Sequence, residues 1–232
     1  MTARYAVYFA PAEASLLWQA GCAWLGRDAR SGVSQVQPRI DGISPERVQD
    51  LTASPRHYGL HATLKPPFRL AYDMTEPMLL AALRALAAEC TPFALPGLSV
   101  DMLAGFIALR TAQHSDALQS LCDRCVVGLD RFRRPMDAAE AAKRRMAGLT
   151  ADQEALLDRF GYPYVLAEWR FHITLTERVS ENERELLLPG LARHFAAALA
   201  VPVHCDDVCL FVQEALGEPF VLRERIALGR PC

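Results

Sequence analysis

Two stretches of this chain, "GLHATLKPPF" (59–68) and "RFHITLTERV" (170–179), each place a histidine two positions before a threonine that is followed by leucine. The histidines, His61 and His172, stand 111 positions apart, close to half of the 232 residues. Both stretches read as strands. Side chains alternate between the faces of a strand, so His61, Thr63 and Lys65 are expected on one face, with Ala62, Leu64 and Pro66 on the other. In the second copy His172, Thr174 and Thr176 share a face, opposite Ile173 and Leu175. One such row is an ordinary half-exposed strand. Two copies, at matched places in a repeated order, constrain the fold to two related halves.

That order runs along the chain. "RYAVYFAP" (4–11) predicts a strand and 12–25 a helix. Residues 26–58, rich in Gly, Ser, Pro and charge, predict a long surface connection with one short helix near 45–51. The first motif strand is expected to stop at Pro66 and Pro67. A helix over 76–90 follows, with Thr75 as N-cap and Pro77 in its first turn. Two strands or a bent hairpin around Gly105 (98–111), a helix (114–129) and an inserted helical pair (129–163) come next. Asp137 and Thr150 are its N-caps, and Gly161 with Pro163 its stop. The second motif strand, a helix over 181–199 and strands near 203–213 and 219–228 complete the chain. This is the pattern of an internal duplication with two pseudo-symmetric lobes.

Composition narrows the class. Hydrophobic residues make up 51%, enough for a sizeable core, and the formal net charge of -2 argues against a protein that coats nucleic acid. Seven cysteines at scattered spacing do not form a disulfide framework and are expected as small buried apolar residues. The opening "MTARYAVYFAPAEASLLW" has no basic region followed by an apolar one. No apolar run approaches the ~20 residues that span a bilayer. The expectation is a soluble cytoplasmic protein with no membrane partner.

The paired motifs suit one chemistry. Two imidazoles with ordinary pKa near ~6.5 can hold opposite protonation states at neutral pH. One takes a proton from a nucleophile while the other gives one to a leaving group. Threonine hydroxyls two residues away donate to a shared anionic centre. A phosphodiester carries such a centre, and its attacking and leaving oxygens lie on opposite sides, as a two-fold site would bracket them. Lys65 is expected to add positive charge.

At these residues the chain resembles the 2H phosphoesterase superfamily, which includes RNA 2′,3′-cyclic phosphodiesterases and RNA 2′-5′ ligase-like proteins. "RYAVYFAP", "WLGRDARSG", "RHYGLHATLKPPFRL", "FRRP" and "GYPYVLAEWRFHITLT" narrow the resemblance to the branch called DUF1045, or the phosphonate metabolism protein family, found with carbon–phosphorus lyase genes. The resemblance implies a bilobal α+β fold, pseudo-two-fold, with two antiparallel sheets flanking a central cleft and helices outside. It implies one such domain over 1–232, with the helical insert at about 130–162. It implies metal-independent phosphodiester chemistry without a cofactor, with His61, His172, Thr63 and Thr174 as the catalytic core. The phosphonate context implies a small cyclic ribose phosphate as substrate, such as 5-phosphoribosyl 1,2-cyclic phosphate.

Further candidates surround this core. Lys65, Tyr58, Arg170 and Arg133 are the expected substrate contacts, while His57 is expected on the surface. Arg131, Arg133, Arg134, Lys143, Arg144 and Arg145 make the insert locally basic, either as a lid for a substrate with more than one phosphate or as a solvated helical face. "CDRC" (122–125) and "HCDDVC" (204–209) contain metal-ligand types, but the first lies in a helical pattern without turn geometry, so no metal is assigned. Two other functions remain open: an enzyme acting on RNA ends with 2′,3′-cyclic phosphates, and a non-catalytic phosphometabolite-binding module. Hydrolysis versus ligase-type transfer, and the oligomeric state, are not written in these residues.

Overall fold

The computed structural model describes residues 3–146 and 148–229. Strand β1 (Arg4–Phe9) leads through Ser15, whose side chain accepts from the Trp18 N–H, into helix α1 (Leu16–Leu25). The long connection contains α2 (Pro45–Leu51), as its Ser-Pro start predicts, and a second short helix, α3 (Ala53–Tyr58), which the Pro and Gly content concealed. Then come β2 (Ala62–Phe68), α4 (Glu76–Ala88), β3 (Phe93–Ala94), β4 (Leu98–Leu103) and β5 (Phe106–Thr111). The hairpin between the last two turns at Ala104 and Gly105, both with positive φ (47° and 93°), as a two-residue primed turn requires. Helix α5 (Asp116–Gly128) precedes the helical pair α6 (Ala138–Arg145) and α7 (Ala151–Phe160), capped by Asp137 and Thr150 and ended by Gly161. The chain closes with β6 (His172–Arg178), α8 (Glu181–Leu199), β7 (His204–Cys205), β8 (Asp207–Gln213) and β9 (Val221–Ala227).

The architecture is α+β and antiparallel. Seven strands run β4-β5-β6-β2-β1-β8-β9, and β3 with β7 forms a separate two-stranded ribbon. The two expected sheets are arms of this one sheet. Their junction, β6 with β2, is paired at Ala62 and Ile173, whereas neighbouring strands share long ladders. The order is symmetric about that junction: β5 corresponds to β1, β6 to β2, β4 to β8. Helices follow the same exchange. Helix α5 packs on β2 and α1 on β6, while α4 packs on β8 and β9, and α8 on β4. The interior is one apolar cluster reaching from Tyr5 to Leu228, including Trp24, Phe132, Phe195 and Phe211. Five of the cysteines (Cys22, Cys122, Cys125, Cys205, Cys209) are buried in it, and Cys90 lies at its edge; Cys232 lies outside the described residues. Among the described residues no helix is long and apolar enough to cross a membrane.

The expectation that Pro66 and Pro67 end the first motif strand is corrected. Strand β2 runs through both prolines to Phe68. The partner register steps from Val7–Lys65 to Tyr5–Phe68, so three residues oppose two, and the prolines occupy this irregular stretch. Proline has no N–H to give to a ladder, and a bulge needs none.

Candidate active site

The two motifs meet at the junction of the sheet arms. Antiparallel strands with Ala62 opposite Ile173 set His61 across from Thr174 and Thr63 across from His172. All four lie on the face opposite Ala62 and Ile173, which are buried. Each histidine is fixed in the same way. His61 Nδ1 lies 2.8 Å from the carbonyl oxygen of Gly59, and His172 Nδ1 lies 2.8 Å from that of Arg170. A carbonyl only accepts, so Nδ1 carries the proton and Nε2 is left with its lone pair.

Beyond the single pair the arms part, which would leave strand carbonyls without partners. Two tryptophans fill the gap. Trp169 Nε1 donates to Thr63 O at 2.7 Å, and Trp24 Nε1 donates to Leu175 O at 2.8 Å. These indoles clamp both motif strands from flanking elements, a role the pattern of apolar residues did not reveal.

The surroundings of the histidines differ. His61 stacks on the buried Tyr8 ring with centroids 3.8 Å apart. Burial pushes its pKa down to about 4, opposed by the Gly59 carbonyl and aided by the nearby His172. His172 packs near Phe106 (5.8 Å between centroids). Its pKa is also lowered, chiefly by burial, with Arg110 acting in the same direction and the Arg170 carbonyl against it. Arg110 is the direct cross-strand partner of His172, and its guanidinium donates to Asp101 at 2.7 Å. Tyr8 and Arg110 were not singled out by the sequence. For Tyr8 a signal existed: Arg4 and Tyr8 stand four apart in β1, so a charged and a phenolic side chain share one face of an apolar strand.

The expected contacts divide. Tyr58 is half-buried, 6.1 Å from the His61 ring and stacked on Phe220 at 5.2 Å, so it borders the motif. Arg170 is exposed beside His172 and lines a cavity of about 250 Å³ with Arg110 and Trp169. Thr174 lines another, of about 440 Å³, with Phe106 and Ser54. Arg133 is not brought to the histidines. Asp130 holds its guanidinium at 2.9 and 3.2 Å, and Arg159 O accepts from it at 2.9 Å. His57 is half-buried rather than on the surface, accepting from Gln213 Nε2 at 3.1 Å between the Tyr58 and Phe220 rings.

Lys65 is corrected. It does not share the histidine face. Between Val7–Lys65 and Tyr8–Thr63 the register shifts by one residue, a bulge at Leu64 that turns Lys65 to the other side of the sheet. There it is 2% exposed, donating to Val126 O at 2.9 Å and to Asp130 at 3.3 Å. In the second copy Thr176 stays with Thr174, both lining one cavity. The β5–β6 register shifts beyond Ala108–Thr174, and Thr176 is buried, its hydroxyl accepting from the Ile107 N–H at 3.0 Å.

The model of a family described as a protein of unknown function (DUF1045) matches residues 63–221. The chain belongs to the DUF1045 family. A relative from Janthinobacterium sp. (strain Marseille) is 41% identical over 227 residues, covering 96% of this chain and 50% of the relative. One from Laribacter hongkongensis (strain HLHK9) is 39% identical over 219 residues, covering 94% and 50%. Both bear the name ribose 1,5-bisphosphate phosphokinase PhnN, and this family member spans about half their length. Among solved structures, E. coli LigT complexed with 3′-AMP aligns with a TM-score of 0.47 at 14% identity, covering 99% of this chain and 100% of that one. A structure described as a phosphoesterase aligns with a TM-score of 0.45 at 13% identity, covering 99% and 100%.

Proposed function

We propose that this chain is a two-histidine phosphodiesterase of the 2H type that opens a small cyclic phosphodiester without metal or cofactor. The observation that carries the reading is the mirrored pair: each histidine opposite the other motif's threonine, each with Nδ1 tied to the carbonyl two residues before it. Both free Nε2 atoms then serve one centre, with the threonine hydroxyls donating to its non-bridging oxygens. His61, held neutral by burial, is the base and takes a proton from water. The water oxygen bonds to phosphorus as the ring P–O bond breaks, and His172, entering the reaction as the imidazolium with a second proton on Nε2, gives that proton to the departing oxygen. The product is a phosphomonoester, and each histidine has exchanged one proton.

The curated relatives direct the choice of substrate. Their name concerns ribose 1,5-bisphosphate, and we infer that the kinase activity belongs to the half this chain does not span. Its two lysines, Lys65 and Lys143, follow Leu and Ala, so no glycine–lysine phosphate loop is present. A ribose phosphate in phosphonate breakdown, with 5-phosphoribosyl 1,2-cyclic phosphate the leading candidate, fits both the relatives' name and a cyclic phosphodiester centre. Phosphorus NMR of the protein with cyclic ribose phosphates, cyclic nucleotides and RNA 2′,3′-cyclic ends tests this. Conversion of a cyclic diester to a monoester, surviving EDTA and lost in His61→Ala and His172→Ala, is the expected result. Tight binding without turnover across the panel would refute it.

A further inference from the structure

The helical insert does not treat its basic residues alike. Arg145 is spent on α7, paired with Glu154 and Asp158, and Arg133 on Asp130. Arg144 turns the other way, across the ring of Tyr162 at 5.2 Å, and lines a cavity of about 450 Å³ with Arg4, Lys143, Tyr162 and Tyr164. A small adjoining pocket, also walled by Arg4 and Arg144, adds Arg69, Arg134 and the Asp130-bound Arg133. Within the walls of these two pockets, Glu140 is the carboxylate, 3.5 Å from Arg144 and 3.8 Å from Arg69. The Nε atoms of Arg144 and Arg134 are buried without a hydrogen-bond partner, which costs free energy unless a ligand or water completes them.

Two aromatic rings link the cavity to the motif. Arg4 sits over Phe220 at 5.3 Å, Phe220 stacks on Tyr58, and Tyr58 borders His61. Arg4 and Tyr8 share a face of β1, with Gln213 and Cys209 as their cross-strand partners. Burial raises the Tyr8 phenol, and Tyr58 and Tyr162 act in the same direction while Arg4 opposes them, so these groups converge.

We propose that the cavity between β1 and α6 is a subsite for a second, non-reacting phosphate, in which Arg4 and Arg144 grip a terminal phosphomonoester while the cyclic diester lies at His61 and His172. Guanidinium forks match phosphate oxygens, and two or more arginines with one carboxylate favour a dianion over a monoanion. The substrate class is therefore a cyclic sugar phosphate with a phosphomonoester at its other end. The subsite rests on the two-histidine reading for what reacts, but not for what binds.

The test compares a cyclic ribose phosphate with its 5-phosphorylated form in the wild-type chain, Arg144→Gln, Arg144→Lys and Arg4→Gln. Wild type is expected to favour the 5-phosphorylated substrate in kcat/KM. Arg144→Gln is expected to raise KM for that substrate alone by about tenfold to a hundredfold, with partial rescue by lysine. An equal fall on both substrates, or an unchanged preference in both glutamine variants, overturns the subsite. Calorimetric titration with ribose 5-phosphate separates the two ideas. Binding that weakens in Arg144→Gln but not in His61→Ala, without turnover of any substrate, keeps the subsite and refutes the diesterase. Turnover with no dependence on Arg144 does the reverse. Arg144 is partly exposed on a short helix, so its variants are expected to fold, and circular dichroism checks this.

Discussion

Replacing Lys65 by methionine separates the two roles this lysine could hold. Burial lowers its pKa from 10.5 to about 8, with Asp130 opposing the shift and Arg133 aiding it. A shift of that size corresponds to about 3 kcal/mol against the charged form at neutral pH. With 2% of the side chain exposed, solvent screening does not dilute this. Methionine keeps the aliphatic stem and removes the charge, but leaves Val126 O without its donor, a loss of about 1–3 kcal/mol. The expected net change is between zero and about 2 kcal/mol of stabilisation in urea denaturation at pH 7. The native state holds the Lys65 proton less tightly than the unfolded chain, so this group makes wild-type stability rise with pH between about 8 and 10.5. Lys65→Met loses that rise. Asp130→Ala strips the charge partner from both Lys65 and Arg133 and is expected to destabilise by about 3–5 kcal/mol. Catalytic efficiency of Lys65→Met should stay within about twofold of wild type. A well-folded Lys65→Met that has lost turnover would refute the placement of Lys65 away from the histidine face.

Four further outcomes follow from the site. His61→Ala and His172→Ala are each expected to lower kcat by about 10²–10⁴-fold, measured by release of the monoester. The kcat/KM profile reports the free protein, so its acid limb is expected at about pH 4 for His61 and its basic limb below 6.5 for His172, with kcat displaced to higher pH by the bound anion. A profile centred above pH 7 would refute the lowering of both imidazoles by burial. Trp24→Phe leaves the Leu175 carbonyl without its donor and is expected to cost about 1–3 kcal/mol in thermal unfolding, while Gly59→Ala, with φ at 82° and a new Cβ 2.4 Å from that of Ala29, should destabilise and displace the carbonyl that holds His61, lowering kcat more than it raises KM.

Much of this was legible because local signals and long-range packing agreed. Thr75, Asp137, Thr150 and Gly161 cap the helices their positions predict, and the hairpin turns at Gly105. Positions i and i+2 carried His61 with Thr63 and His172 with Thr174 to one face. The alternation failed two residues further on in the first copy, at Lys65, because a bulge resets it, and a bulge is set by the partner strand rather than by its own residues. The proline stop failed for the same reason. Arg133 and Arg144 lie in one basic stretch and their type alone does not separate them. What does is the partner each finds in the fold: Asp130 and the Arg159 carbonyl hold Arg133, whereas Arg144, beside Glu140, keeps a buried Nε without a partner.

The exchange of strands across the sheet has a consequence for how the molecule can be divided. Strand β4, from the first half of the chain, completes the arm of the second, and β8 completes the arm of the first. A cut in the Ala104–Gly105 turn would therefore give two fragments, the first with β4 orphaned and the second with the β8–β9 hairpin orphaned, each with one motif histidine and each holding the missing edge of the other. Such fragments are suited to reassembly rather than independence. Turnover by the mixed pieces would count rejoined molecules directly, because the seam that mates them is the place where His61 and His172 meet.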